Sequence, residues 1–389
     1  MIRRIVLVLL ALVVIAAIAF LALGPGIVER SMNKVVAGPM PRVTAGTQAL
    51  HRSLAIADLH ADTLLWQRAL DAPADRGQVD LPRLKAGNVA LQIFSSVTKT
   101  PKNQNYESNS AETDNITLLA MAQLQPPGTW GSLLERSLWH ATKLRRVAGR
   151  SKGALRLVRR PRDLDFVLAE RAAGRDVTGA MLSVEGLQNL EGDPANLDRL
   201  YEAGFRMAGF AHFFDNELAG SMHGVAKRGL TPMGRDVLRR MEAKGMVVDI
   251  AHASHAAVAD MLAMATRPVV SSHGGVQATC KVNRNLTDDE IRGVARTGGV
   301  VGIGYWDAAI CDTSPAAIAR AIVHVRDLVG VRHVGLGSDF DGAVTTRFDT
   351  SQLAAITQAL KDAGLSDAEV RAVMGGNALR LLRAGLAPR

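Results

Sequence analysis

The chain opens with one unbroken apolar run and then settles into a repeating pattern. Ile5 to Leu23 is 19 residues without a charge or a strongly polar side chain. A helix of about that length spans a bilayer core of roughly 30 Å. The run follows Arg3 and Arg4 and exceeds the usual signal-peptide apolar region of about 7–15 residues. No small-residue cleavage site is evident before Gly24-Pro25-Gly26. The pattern predicts an uncleaved N-terminal signal-anchor, a transmembrane helix over residues 1–23, with a cleaved signal as the alternative. The basic flank stays in the cytoplasm, so the remainder lies on the exported, periplasmic or extracellular side. Residues 24–45 hold Pro25, Pro39, Pro41 and three glycines, and read as a linker.

From residue 46 to 386 short β-branched or apolar runs alternate with longer stretches of helical periodicity. The candidate strands are Leu54–Ala61, Val89–Val97, Gly179–Val184, Phe205–Ala211, Met246–Ala251, Pro268–Ser272, Gly299–Tyr305 and His333–Ser338. Eight βα units in about 330 residues predict an α/β fold of the (β/α)8 TIM-barrel type with insertions. Helix starts are legible at Thr231-Pro232 and at the capping boxes Thr287-x-x-Glu290 and Ser366-x-x-Glu369. The last opens a helix that meets Gly375-Gly376 and resumes at Asn377. A polar stretch near 99–163 is expected to be an insertion of loops and helices between the second and third strands.

Composition changes this picture in three places. Net charge is +9, and ten Lys or Arg with no acidic residue lie between Arg136 and Arg162. With aromatics at only 4% and no nucleic-acid-binding signature, nucleic acid is excluded as a partner. The basic stretch is expected to be a solvated helical excursion, with contact to anionic lipid or envelope polymer as the second reading. The two cysteines, Cys280 and Cys311, rule out a disulfide-dense scaffold and a cysteine zinc ribbon; they are expected to be reduced, partly buried thiols, with pairing as the alternative for an exported domain.

In an α/β barrel the working face is the C-terminal end of the strands. Strand one ends in His60 and Asp62, strand three in Glu185, strand four in His212, strand five in His252, strand six in His273 and strand eight in Asp339. On an extended strand His60 and Asp62 point to the same side. Four histidines and several carboxylates converging at strand ends point to a metal site, because burying so many titratable groups without a cation is costly. His60, Asp62, His252 and His273 supply four donors and Glu185 can bridge, which gives two ions three protein ligands each. The donor mix favours zinc, with manganese or cobalt also accepted. Two ions a few ångströms apart share a hydroxide and polarise a carbonyl.

With these motifs the chain resembles the membrane dipeptidase (renal dipeptidase) family, metallopeptidase family M19, within the amidohydrolase-like barrels. The resemblance rests on Asp58-Leu59-His60-Ala61-Asp62-Thr63, Ser183-Val184-Glu185-Gly186, Phe210-Ala211-His212-Phe213-Phe214-Asp215-Asn216, Val248-Asp249-Ile250-Ala251-His252, Ser271-Ser272-His273, Asn283-Arg284-Asn285-Leu286 and Gly337-Ser338-Asp339-Phe340-Asp341-Gly342. It implies a binuclear zinc site, with His60 and Asp62 on one ion, His252 and His273 on the other, and Glu185 between them. It implies that His212 contacts substrate and steadies the tetrahedral intermediate, that Arg284 holds the substrate carboxylate, and that Asp339 shuttles a proton from the bridging water to the leaving amine. The expected activity is hydrolysis of dipeptides, including those with a C-terminal D-residue, by a homodimer. The alternative is a related binuclear amidohydrolase acting on N-acyl amino acids or lactams. Unlike the animal members, the chain carries its apolar anchor at the N-terminus.

Overall fold

The structure, a computed structural model, describes residues 1–387. Eight parallel strands close on themselves: β1 (Ile56–Ala61), β2 (Val89–Val97), β3 (Thr178–Glu185), β4 (Phe205–Gly209), β5 (Val247–Asp249), β6 (Val270–Ser271), β7 (Val300–Ile303) and β8 (Val334–Leu336). Closure is made by β1, which pairs with β2 at Ile56–Val89 and with β8 at Asp58–Leu336. Every residue of β1, β2 and β3 is buried, as expected for strands covered on one face by helices and on the other by the barrel interior. A helix or helices follow each strand and form the outer layer, giving a closed parallel β-barrel surrounded by helices.

Each of the eight expected strands is present. Several are shorter at their C-terminal ends than the apolar runs suggest, and the cause is local. The carboxylate of Asp249 accepts from the backbone N–H of Ala251 at 3.0 Å and of Ser272 at 2.9 Å, which draws the ends of β5 and β6 out of the ladder. Asp58 plays a similar part where β8 ends short of Ser338, accepting from His60 N at 3.0 Å and Ser338 N at 3.1 Å. The helix caps fall where expected: Thr231 accepts from Gly234 N, and both capping boxes close. The break falls at Gly375, where no side chain fits: a Cβ there would lie 1.9 Å from the Ala55 carbonyl at the foot of β1.

Three expectations are corrected. The N-terminal helix runs from Ile2 to Met32 rather than ending at the Gly-Pro-Gly. Residues 24–32 are therefore no flexible tether: Glu29 is buried and accepts from Arg68 and Arg76, and Lys34–Val35 pairs in parallel with Thr345–Thr346. These tertiary contacts override the local preference of Pro25 and its flanking glycines. The basic insertion is not wholly solvated either. In the helix Leu133–Arg150, Arg136 is buried and donates to the carbonyls of Thr98 and Thr129 and to Asp114, while Lys143 donates to the carbonyls of Leu64 and Trp66, each at 2.6 Å. Finally, Cys280 and Cys311 form a disulfide, with Cα atoms 5.3 Å apart. Their 31-residue separation carries no signal of pairing; the fold brings the loops after β6 and β7 together.

Candidate active site

All six strand-end positions named from the sequence meet at one mouth of the barrel. Glu185 is the last residue of β3, and its Oε1 lies 2.8 Å from His252 Nε2, 3.1 Å from His273 Nε2 and 3.6 Å from His212 Nε2. Its Oε2 lies 3.6 Å from His60 Nε2. His60 Nε2 is also 3.4 Å from Asp62 Oδ1 and 3.8 Å from Asp339 Oδ1. The two imidazoles of His252 and His273 approach to 3.0 Å through their Nε2 atoms.

The local chain geometry explains this focus. Pairing between β1 and β8 continues past their ends, because Asp62 N donates to Phe340 O and Asp339 N to His60 O. That places Asp339 beside His60. His252 and Asp339 both adopt left-handed backbone, φ 63° and 60°. Such conformations are costly for residues other than glycine and cluster at functional sites. They turn each side chain sharply inward at a strand end. The Ser272 hydroxyl lies 2.9 Å from His273 Nδ1, which leaves Nε2 of that ring facing Glu185.

The donor set fits a pair of divalent cations. His60 Nε2, Asp62 Oδ1 and Glu185 Oε2 are buried side-chain atoms without a hydrogen-bond partner among the described residues. The donor atoms of His60–Glu185–His273, of Glu185–His212–His252 and of His60–Asp62–Asp339 lie within 4.8 Å of one another, close enough for an ion between them, with Glu185 in two of the groups. The electrostatics agree. Burial pushes Asp62 up to about 7, reinforced by the Glu185 charge, and burial drives Asp339 well above the ordinary carboxylate range despite nearby His60. Burial opposes the charge of Glu185 too, but the imidazoles of His212 and His60 overcome it and hold that carboxyl well below its ordinary value. Three carboxylates crowded in a dry pocket demand positive charge.

Around this centre lies a cavity of about 440 Å³. Arg284 enters it from the loop after β6. Its Nη2 donates to the His273 carbonyl at 2.9 Å and lies 3.3 Å from His252 Nε2, while its buried Nε has no partner among the described residues. Trp306 lies under the guanidinium, 5.8 Å from ring centre to Cζ, and its indole N–H donates to the Tyr106 hydroxyl at 3.1 Å. His212 also lines the cavity, its ring 4.7 Å from that of His252 and its Nδ1 3.4 Å from the Lys99 carbonyl.

Sequence reasoning missed two kinds of residue. Asp58 and Asp249 stand inside the quoted motifs without an assigned role; the signal was an acidic residue within an otherwise apolar strand run. Val28, Met32, Tyr106 and Trp306 line the cavity but come from segments distant in the chain, and nothing in their spacing marks them.

Comparison with known proteins places this geometry. The chain is 29% identical over 348 residues to dipeptidase aclJ of Aspergillus oryzae, covering 84% of this chain and 77% of the relative. It is 30% identical over 255 residues to an uncharacterised Klebsiella pneumoniae protein from the pqqA 5' region, covering 62% of this chain and 92% of the relative. Among solved structures, the probable dipeptidase PvdM of Pseudomonas aeruginosa shares the fold with a TM-score of 0.74 at 19% identity, covering 87% of this chain and 97% of that one. A Rhodobacter sphaeroides metallopeptidase, liganded with a phosphinate mimic of L-Ala-D-Ala, does so at 0.67 and 22% identity, covering 85% and 99%. Residues 44–386 match the model for membrane dipeptidase (Peptidase family M19), so the chain belongs to that family and is a metallodipeptidase.

Proposed function

We propose that the chain is a membrane-anchored, zinc-dependent dipeptidase whose barrel works on the exported side of the membrane and accepts dipeptides with a C-terminal D-residue. The observation that carries this reading is Glu185, placed between the His252–His273 pair and His60 at 2.8–3.6 Å. In it, His60 and Asp62 hold one zinc, His252 and His273 the other, and Glu185 both. When bound, such a pair supplies Lewis-acid activation of water and polarisation of the scissile carbonyl.

The chain's own residues do the rest. Arg284 binds the substrate's terminal carboxylate, a planar cation suited to a planar two-oxygen acceptor. His212 donates toward the oxygen that gains charge as the carbonyl becomes tetrahedral. Asp339, 3.8 Å from His60 and buried, takes the proton released on attack and delivers it to the departing amine. The phosphinate mimic of L-Ala-D-Ala in the Rhodobacter structure supports acceptance of a C-terminal D-residue. The Cys280–Cys311 disulfide supports an oxidising compartment, and the apolar N-terminal helix supports the anchor.

The test is turnover of L-Ala-D-Ala by the full-length protein in detergent, with and without chelator, and in Asp339→Asn. Chelation abolishes turnover and added zinc restores it. Asp339→Asn lowers kcat by about 10²–10⁴-fold while the metal content stays at two ions per chain. Turnover indifferent to chelator, or loss of metal together with activity in Asp339→Asn, refutes the assignment.

A further inference from the structure

The cavity has two chemically different walls. On the side of His252 and His273 stands Arg284. On the side of Asp62 the chain continues into the short turn Thr63–Leu65 and Trp66, and there the wall is apolar: Leu65, Trp66, Ile116 and Leu119, together with Val28 and Met32. The last two belong to the N-terminal helix. They are four residues apart and so share one helix face. Both are about two-fifths exposed (41% and 42%), although the buried Glu29 lies between them. Their apolar surface is turned to the cavity and is free to be covered.

This end of the helix is fixed to the catalytic loop and does not hang beside it. Glu29, on a different face, accepts from Arg68 and Arg76. Arg68 in turn donates to Asp341, two residues after Asp339. Asn33 Oδ1 accepts from Ala343 N at 2.8 Å, and Lys34–Val35 pairs with Thr345–Thr346. The helix end, the turn after Asp62 and the loop after β8 thus form one body around one side of the site.

A dipeptide with its carboxylate at Arg284 and its scissile carbonyl at Glu185 must direct its amino-terminal residue toward this apolar side. We propose that Val28 and Met32, on the last turns of the N-terminal helix, complete an apolar subsite for the side chain of the substrate's amino-terminal residue. The anchor helix is then a specificity-determining part of the enzyme, and the preferred substrates carry a large apolar residue at that position. This inference rests on the dipeptidase reading and on the placement of Arg284 given above.

The test compares Leu-D-Ala with Gly-D-Ala in the zinc-loaded full-length protein in detergent. The readout is the ratio of their kcat/KM values in wild type, Val28→Ala, Met32→Ala and Val28→Trp. Shortening either side chain lowers the Leu/Gly ratio by roughly fivefold to tenfold, mostly through KM for Leu-D-Ala. Val28→Trp, which fills the subsite, lowers it further. Met32→Leu, of similar volume, restores the wild-type ratio within about twofold. A ratio unchanged in all variants, or equal losses on both substrates in both alanine variants, overturns the subsite. No hydrolysis of either dipeptide by wild type would instead overturn the dipeptidase reading itself.

Discussion

Arg284→Met isolates the carboxylate contact. Arg284 is 1% exposed, so an anion beside its guanidinium is shielded from water. One of its nitrogens is used by the His273 carbonyl, and the unpartnered Nε remains for a substrate. A hydrogen bond to a charged group contributes about 1.5–3 kcal/mol, and a two-pronged carboxylate contact contains two of them. Methionine keeps much of the volume and none of the charge. The expected loss is therefore roughly 3–5 kcal/mol, or about 10²–10⁴-fold in kcat/KM for L-Ala-D-Ala, carried mainly by KM. The control is the same dipeptide as its C-terminal amide. The wild-type enzyme separates acid from amide by a large factor; in Arg284→Met that gap closes, because the discriminating charge has gone from the protein as it has from the amide. Metal content, measured on the same samples, stays at the wild-type value. Equal losses for acid and amide with metal intact would show that Arg284 supports the site through His252 and His273 and does not read the substrate.

Two further outcomes follow from groups away from the metal centre. Burial lowers His51 to about 4, its Nδ1 2.8 Å from the Thr357 hydroxyl, whereas in the unfolded chain it titrates near 6.5. The fold thus favours the neutral ring: the stability is whole above about pH 6.5, declines as pH falls, and is gone below about pH 4. The contribution is about 3 kcal/mol, and urea titrations between pH 4 and 7 should show it flattened in His51→Gln. Replacing Cys280 and Cys311 together by serine removes a 31-residue closed loop, for an expected stability loss of about 2–4 kcal/mol by denaturant titration. Because that bridge joins the loop of Arg284 to the segment after Trp306, KM for the dipeptide rises in the same variant while KM for the amide changes little. An unchanged KM would confine the bridge to stability.

The barrel and most of its mouth were legible in the chain because each ligand-type residue follows an apolar strand run. His252 at the end of Val248–Ala251 and Glu185 after Met181–Val184 announce themselves in this way. Asp58 and Asp249 were harder, since their work is to hold backbone N–H groups, and a sequence shows no backbone partner. The disulfide was legible only as a possibility open to an exported domain, and the route of residues 24–32 was not legible. Both depend on which loops come together over the barrel mouth, and the Gly-Pro-Gly composition argued locally for a break that Glu29, Arg68 and Arg76 prevent. The same applies to Arg136 and Lys143, read as solvated charges but used inside to satisfy carbonyls.

The unbroken helix also sets a distance. From Leu23, the last residue of the apolar run, to Met32 at the cavity wall is nine residues, about 14 Å at 1.5 Å per residue. If the apolar run is embedded in lipid, as proposed, the barrel would stand on a stiff post about that far from the bilayer. Substrates would then be drawn from the thin layer of solvent next to the membrane, and peptides that partition there would reach the enzyme at a concentration the bulk solution never has.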